Sequence, residues 1–227
     1  MAVGGDFLST SEAAKVLGVS VRHARRLADA GDLARVARGL IARDSLDRYV
    51  AAQRQGRTRS WAEHTAWGAI AILSGEQPTW LGSTQTSRLR GTLRELTGSA
   101  DLLVRTRDRA RVHTLTGHTA ALPRLRDILA TPDLAKLGLV TGVGETGPVQ
   151  GYLSADDLEA TVLSLGLRED AGGNIVVRAT TFDFSVVERL AVTSTVLAAL
   201  DAAASLDPRM RGVGERALAE ILDAYRR

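Results

Sequence analysis

LSTSEAAKVLGVSVRHARRLADAGDLARVARGLIARDSLDRYV, residues 8–50, is punctuated by its glycines into two short helices, a small wing and a third helix. Ser9 followed by Glu12 is a capping box and predicts a helix from Thr10. Ala13, Ala14, Val16 and Leu17 give it an apolar face, and Gly18 closes it in the left-handed conformation that glycine adopts without steric cost. Ser20 then caps a second helix, Val21 to Ala30, ended by Gly31. At 100° per residue, Val21, Ala24, Leu27 and Ala28 fall on one side of that helix. Arg22, Arg25, Arg26 and Asp29 fall opposite, with His23 at the edge. Three guanidinium groups on the outer face of a ten-residue helix suit the major groove, where arginine pairs with guanine edges or neutralises phosphates. Asp44 or Ser45 is expected to cap the third helix, Leu46 to Gln53.

Residues 8–50 resemble the excisionase/MerR-type winged helix-turn-helix family. The resemblance runs through Leu8, Ser9, Thr10, Glu12, Ala13, Ala14, Leu17, Gly18, Val19, Ser20, Arg26, Leu27, Gly31, Leu33 and Tyr49. It implies that Ser20, Arg22, His23, Arg25 and Arg26 face DNA and that Arg35 and Arg38 lie on the wing, so these seven make up the expected DNA-binding set. Arg38-Gly39-Leu40-Ile41 makes a shorter wing than the family commonly has.

The pattern of the whole chain predicts two domains of mainly α structure with small β elements (α+β). Residues 1–53 are expected to form the winged helix-turn-helix, 54–60 a basic linker and 61–227 a mixed α/β carboxy-terminal domain that binds a partner or regulates. The 227 residues suffice for one small and one medium core, and a 44% hydrophobic, 24% charged composition is that of a globular protein. With no cysteine, the chain holds no disulfide, thiolate metal site or cysteine nucleophile. MAVGGDFLST lacks the features of a secretory signal, and no apolar run reaches the ~20 residues of a membrane span, so the expected location is the cytoplasm. The net charge of +3 conceals a gradient: residues 1–59 sum to +5, 60–130 to +3 and 131–227 to −5. A basic front fits a polyanion, and an acidic back is free to meet a protein.

Beyond residue 60, Ser60 and Glu63 read as a second capping box opening a helix through Leu73, stopped by Gly75. Ser83 is expected to cap a helix with Leu89, Leu93 and Leu96 on one face and Arg88, Arg90 and Arg94 on the other. Leu102–Val104 and Val112–Leu115 are β-like runs. The arginine-dense Arg105–Arg111 connection between them is either a hairpin tip at phosphates or a helix end facing water. A helix around Leu122, Leu125 and Leu129 follows, then strands Leu137–Thr141 and Val149–Leu153, and a helix capped by Ser154. Asn174–Thr180 is a strand, and the chain finishes in helices Val192–Leu206 and Val213–Tyr225, separated by Asp207-Pro208.

Catalytic chemistry finds no anchor in this pattern. Gly142-Val143-Gly144-Glu145-Thr146-Gly147 matches G-x-G-x-x-G, but Pro148 and a β-like run follow where a dinucleotide site needs a helix amino terminus. His23, His64, His113 and His118 lack metal-ligand spacing, and Asp156 and Asp157 sit where acids favour a helix dipole. No enzyme activity, cofactor or metal is expected. The back half is similar in layout to antitoxins found beside nucleotidyltransferase-type (abortive-infection) toxins. The similarity lies in Ala66-Trp67 through Leu73-Ser74-Gly75-Glu76, Trp80-Leu81 with Arg88-Leu89-Arg90, and Leu197-Ala198-Ala199-Leu200-Asp201 with Ser205-Leu206-Asp207-Pro208-Arg209. It implies a transcriptional autorepressor whose second domain neutralises or communicates with a toxin kinase or nucleotidyltransferase. The expected partners are double-stranded DNA, a nucleotidyltransferase-like toxin and, in a homodimer, a second copy of the chain. The alternatives are an effector-responsive MerR-like regulator, using aromatics from among Trp61, Trp67, Trp80, Tyr152, Phe182 and Phe184, or an excisionase-like recombination factor.

Overall fold

The computed structural model describes residues 7–29, 33, 35–37, 39–54, 59–138, 149–170, 172–205 and 207–227. The glycine-rich run Gly142–Gly147, wing residue Arg38 and most of the basic linker lie outside them. The chain divides into two compact units, Met1–Gly56 and Arg57–Arg227.

In the first unit the elements run β1 (Phe7–Ser9), α1 (Thr10–Leu17), α2 (Val21–Asp29), β2 (Arg35–Ala37), β3 (Leu40–Ala42) and α3 (Arg43–Arg54). The strands form an antiparallel sheet in the order β1-β3-β2, with Leu8 opposite Ile41. Strand β1 is unheralded in the sequence, because three residues carry no period and its partner lies some thirty residues on. The β2–β3 hairpin turns at Gly39, whose φ of +83° only glycine adopts cheaply. The Gly39 carbonyl then accepts from the Thr10 amide at 2.9 Å, tying the wing to the start of α1. Ala13, Leu27, Leu33, Ile41 and Leu46 make the core, covered by Leu8, Leu17, Tyr49 and Val50. Helix α3 starts a turn earlier than expected. The chain passes straight from β3 into it, so Asp44 and Ser45 fall within the helix, and Ser45 and Leu46 are buried.

The second unit opens with α4 (Glu63–Leu73), α5 (Ser83–Glu95) and α6 (Ser99–Thr106), and a 3₁₀ turn, Arg107–Arg109, leads into β4 (Arg111–Thr116). Next come α7 (Leu122–Ile128), β5 (Val149–Ser154), α8 (Leu158–Ser164), β6 (Arg168–Glu169) and β7 (Ile175–Thr180). Three helices complete it: α9 (Phe184–Thr193), α10 (Thr195–Ala203) and α11 (Pro208–Arg226). The sheet order is β5-β7-β4-β6, with β5 and β7 parallel and the other pairs antiparallel. Alternation along the strands divides the core between the sheet's faces. Val149, Leu153, Ile175, Val177 and Leu115 pack with Leu122, Leu125, Leu158 and Val162 of α7 and α8. Tyr152 joins Trp67, Ile70, Leu93, Leu102, Leu190, Leu197, Leu200, Leu218 and Leu222 in the helical layer. Helix α4 is buried from Ala66 through Ile72, apolar all round as an inner helix must be. The chain is thus mainly helical with small sheets, as its pattern implies, and among the described residues no helix is long and apolar enough to cross a membrane.

Several local readings give way to tertiary contacts. Ser60 and Glu63 do not form a capping box: Ser60 Oγ bonds the Asp108 carboxylate, while Glu63 accepts from the Thr181 amide at 3.0 Å and from the Thr180 and Thr181 hydroxyls. Ala62 is the N-cap of α4. Gly82, not Ser83, precedes α5, with Gln85 Oε1 accepting from its amide at 3.2 Å. Leu102–Val104 is helix, part of α6, with Leu102 and Thr106 buried on one face and Val104 on the other. Leu137 ends a 3₁₀ turn, Leu134–Leu137, and the rest of the strand expected there lies largely outside the described residues. The terminal helices number three among the described residues. Ser194 interrupts the expected long one by capping α10 through the Leu197 amide at 3.1 Å, while its Oγ lies 2.6 Å from Ser74 Oγ. Asp207-Pro208 starts α11 instead of merely breaking the chain, Asp207 capping it and Pro208 taking the first position.

The second unit also buries an ionic cluster. Asp201, 2% exposed in the apolar helix α10, accepts at Oδ1 from Arg109 Nη2 at 2.7 Å and from Tyr152 Oη at 2.8 Å. Arg109 Nε donates to Tyr152 Oη at 2.8 Å, and Arg178 Nε lies 3.4 Å from the same carboxylate oxygen. Burial foremost, with the Asp201 charge adding to it, pushes the Tyr152 phenol above the usual tyrosine range. The arginine-dense connection is therefore a helix end and turn with assigned partners. Arg105 reaches Asp101 at 3.0 Å and stacks 5.6 Å from the Trp61 ring, and Arg109 is core. The aromatics are likewise consumed by packing: Trp67 lies 5.5 Å from Tyr152 and 6.1 Å from Phe182, and Trp80 lies 5.0 Å from Phe182.

Candidate nucleic-acid interface

The site is built on two helices and the turn between them. Ser9 Oγ accepts from the Glu12 amide at 3.2 Å while Glu12 Oε2 accepts from the Ser9 amide at 2.8 Å, so the capping box predicted from sequence is present. The Ser9 hydroxyl and amide hold the Glu12 carboxyl below the usual carboxylate range. Gly18 ends α1 at φ +66°, and the Val19 amide bonds back to the Ala14 carbonyl at 3.0 Å, which sets the bend. Ser20 Oγ accepts from the His23 amide at 3.2 Å, capping α2.

With the entry angle set this way, α2 buries Ala24 and Leu27 against the core and leaves Arg22, Arg25, Arg26 and Asp29 exposed. Both faces match the helical wheel, apart from Val21, which is exposed. Ser20, Arg22, His23, Arg25, Arg26 and Asp29 together line one shallow, open concavity. Arg26 Nη2 lies 3.2 Å from His23 Nδ1, so the neutral imidazole can accept from the guanidinium. The structure thus brings five of the seven predicted residues onto one surface.

The described wing residue, Arg35, behaves differently. Arg35 is exposed on β2, but its guanidinium is bound to the Asp29 carboxylate at the far end of α2. It braces helix to wing, which its expectation as a DNA-facing residue did not include. Asp29 itself stood among the outward residues of the wheel without an assigned role; an acid closing an arginine face was the available signal.

Two further histidines have structural partners: His113 Nδ1 lies 3.1 Å from Glu169 Oε1, and His118 Nδ1 accepts from the Ala120 amide at 3.2 Å. Among the described residues no three His, Asp or Glu side chains gather where they could hold a metal ion.

A helix-turn-helix whose second helix carries an exposed basic face, flanked by a three-stranded wing, defines a DNA-binding class of domain. Comparison with protein families agrees: residues 7–54 match the helix-turn-helix domain family. No curated protein and no solved structure matches the chain. Residues 7–54 are a helix-turn-helix domain.

Proposed function

We propose that the protein is a sequence-specific transcriptional regulator that binds double-stranded DNA through α2. In this reading it is the antitoxin and autorepressor of an operon encoding a nucleotidyltransferase-type toxin. The observation that carries the DNA-binding part is the cationic face of α2, with Arg22, Arg25 and Arg26 exposed within a helix-turn-helix domain. Ser20 and His23 complete the surface at the helix's amino-terminal end, where HTH proteins approach base edges. The protein-binding part draws on the balance of −5 over residues 131–227 and on the antitoxin-like layout of the second unit. Segments carrying that layout, around Trp67, Leu89 and Leu197–Leu200, meet in a single helical core. An effector pocket is the poorer reading, because Trp67, Tyr152, Trp80 and Phe182 are spent on one another.

The test has two arms. Full-length protein is titrated onto its own promoter region at several salt concentrations. The expected result is a shifted complex whose log–log salt slope is about −0.9 per phosphate neutralised. Failure to prefer the promoter over random duplex counts against a sequence-specific regulator. The product of the adjacent reading frame is then co-expressed: co-purification and relief of its toxicity support the antitoxin role. An innocuous or unbound neighbour removes it and leaves the DNA-binding arm standing.

A further inference from the structure

We propose that Asp29 is a specificity-determining residue that reads a cytosine in the major groove, held in place by Arg35. The inference rests on the DNA-binding reading of α2 and deepens it. Asp29 lies seven residues beyond Arg22, about 10 Å along the helix axis, on the same exposed face. It lines the same concavity as Arg22, Arg25 and Arg26. A carboxylate on a surface that meets phosphates is repelled unless it is neutralised and matched to a donor. Arg35 supplies the neutralisation: its guanidinium bonds Asp29 Oδ1 across from β2, with side chains 43% and 63% exposed. The pair remains open to a partner in the groove.

What such a partner must be follows from hydrogen-bond chemistry. An ionised carboxylate only accepts, and its two oxygens offer about four acceptor sites, of which Arg35 uses one. The major-groove edges of guanine and thymine present acceptors, O6 with N7 and O4, which repel it. Adenine offers its N6 amine beside the acceptor N7. Cytosine alone offers an amine, N4, without an adjacent acceptor. The arginines of α2 are donors suited to guanine, so the face carries complementary readers for the two members of a G·C pair. Arg35 acts as a positioning residue that orients the carboxylate.

The experiment is selection of binding sites from randomised duplex DNA by the full chain, repeated with Asp29→Ala, Asp29→Asn and Arg35→Met. Circular dichroism confirms that each variant is folded. The wild type is expected to enrich a site with a cytosine column preferred about tenfold over other bases. Asp29→Ala flattens that column and leaves the arginine-dependent columns in place. Asp29→Asn moves the same column toward adenine, the base asparagine pairs with in bidentate fashion. Arg35→Met weakens that column alone and leaves the salt slope unchanged, which separates a positioning role from a phosphate contact. An unaltered site for Asp29→Ala, alongside a site that Arg22→Ala does alter, makes Asp29 a strut only and overturns the proposal while the DNA-binding reading stands. Enrichment of no site by the wild type overturns both.

Discussion

Replacing Asp201 by Asn is expected to cost the second unit about 3–5 kcal/mol, the range for removing one partner of a buried charge pair. Asp201 is 2% exposed and Arg109 and Arg178 are 5% and 7% exposed, so the two guanidinium groups would be left in the core without a counter-charge. At an effective dielectric of about 20, a charge pair some 4 Å apart is worth roughly 4 kcal/mol, so one such interaction fills the expected range. Asparagine retains a carbonyl that can accept from Arg109 and Tyr152, which isolates the charge from the hydrogen-bond geometry. Urea unfolding followed by tryptophan fluorescence is the assay. Trp61, Trp67 and Trp80 all belong to the second unit, so the signal does not mix in the first. With an m-value of about 2–3 kcal/mol/M, the midpoint should fall by roughly 1–2 M at unchanged m. Adding Arg109→Met to the Asp201→Asn background should cost at least 1 kcal/mol less than in the wild type, because the stranded charge goes with it. A midpoint shift under 0.2 M, equivalent to about 0.5 kcal/mol, would refute the account of Asp201 as the counter-charge.

Three further outcomes are expected. Arg22→Ala combined with Arg26→Ala should lower affinity for the selected duplex by about 100-fold without changing the far-ultraviolet spectrum, since both side chains are exposed; gel shift and circular dichroism check it, and unchanged affinity would disprove the assigned face. Gly214→Ala should cost about 1–3 kcal/mol in urea unfolding, because a Cβ there would stand 2.2 Å from the Ala203 amide nitrogen and 2.7 Å from the Ala199 carbonyl oxygen. Tyr152 is held protonated in the fold, so the folded state binds a proton that the unfolded state releases above pH ~10. Stability should therefore fall as pH rises past 10, and Tyr152→Phe should fall less steeply over pH 10–11.5 in a urea series; equal slopes would contradict the raised phenol.

The sequence exposes whatever is decided within one helical turn. The Ser9–Glu12 box, the Gly18 stop, the Ser20 cap and both faces of α2 involve residues three or four apart, and all but Val21 lie where the pattern puts them. The same logic misleads at Ser60 and Glu63, an equally good box on paper. Their oxygens are claimed by Asp108, Thr180 and Thr181, partners more than forty residues distant. Leu102–Val104 fails for a different reason: three aliphatic residues carry no period, and the helix is decided by what they bury. Asp201 was visible as a lone acid in TVLAALDAA, yet its partners come from three other elements and no spacing announces them. In the candidate site the arginine face was legible, whereas the bond between Asp29 and Arg35 depends on how β2 returns past α2.

The long-range ties of the second unit bear on how the chain is made. Glu63 waits for Thr181, 118 residues later, and Leu96 receives Arg226 across 130 residues. At 5–20 residues per second, ribosomal synthesis of that interval takes on the order of ten seconds. The core of residues 7–54 is complete long before then, while α4, apolar on every side, has emerged without its neighbours. Chaperone capture during translation should therefore fall on residues 63–73. A message cut short before α11 would release a finished helix-turn-helix domain trailing an unfolded tail.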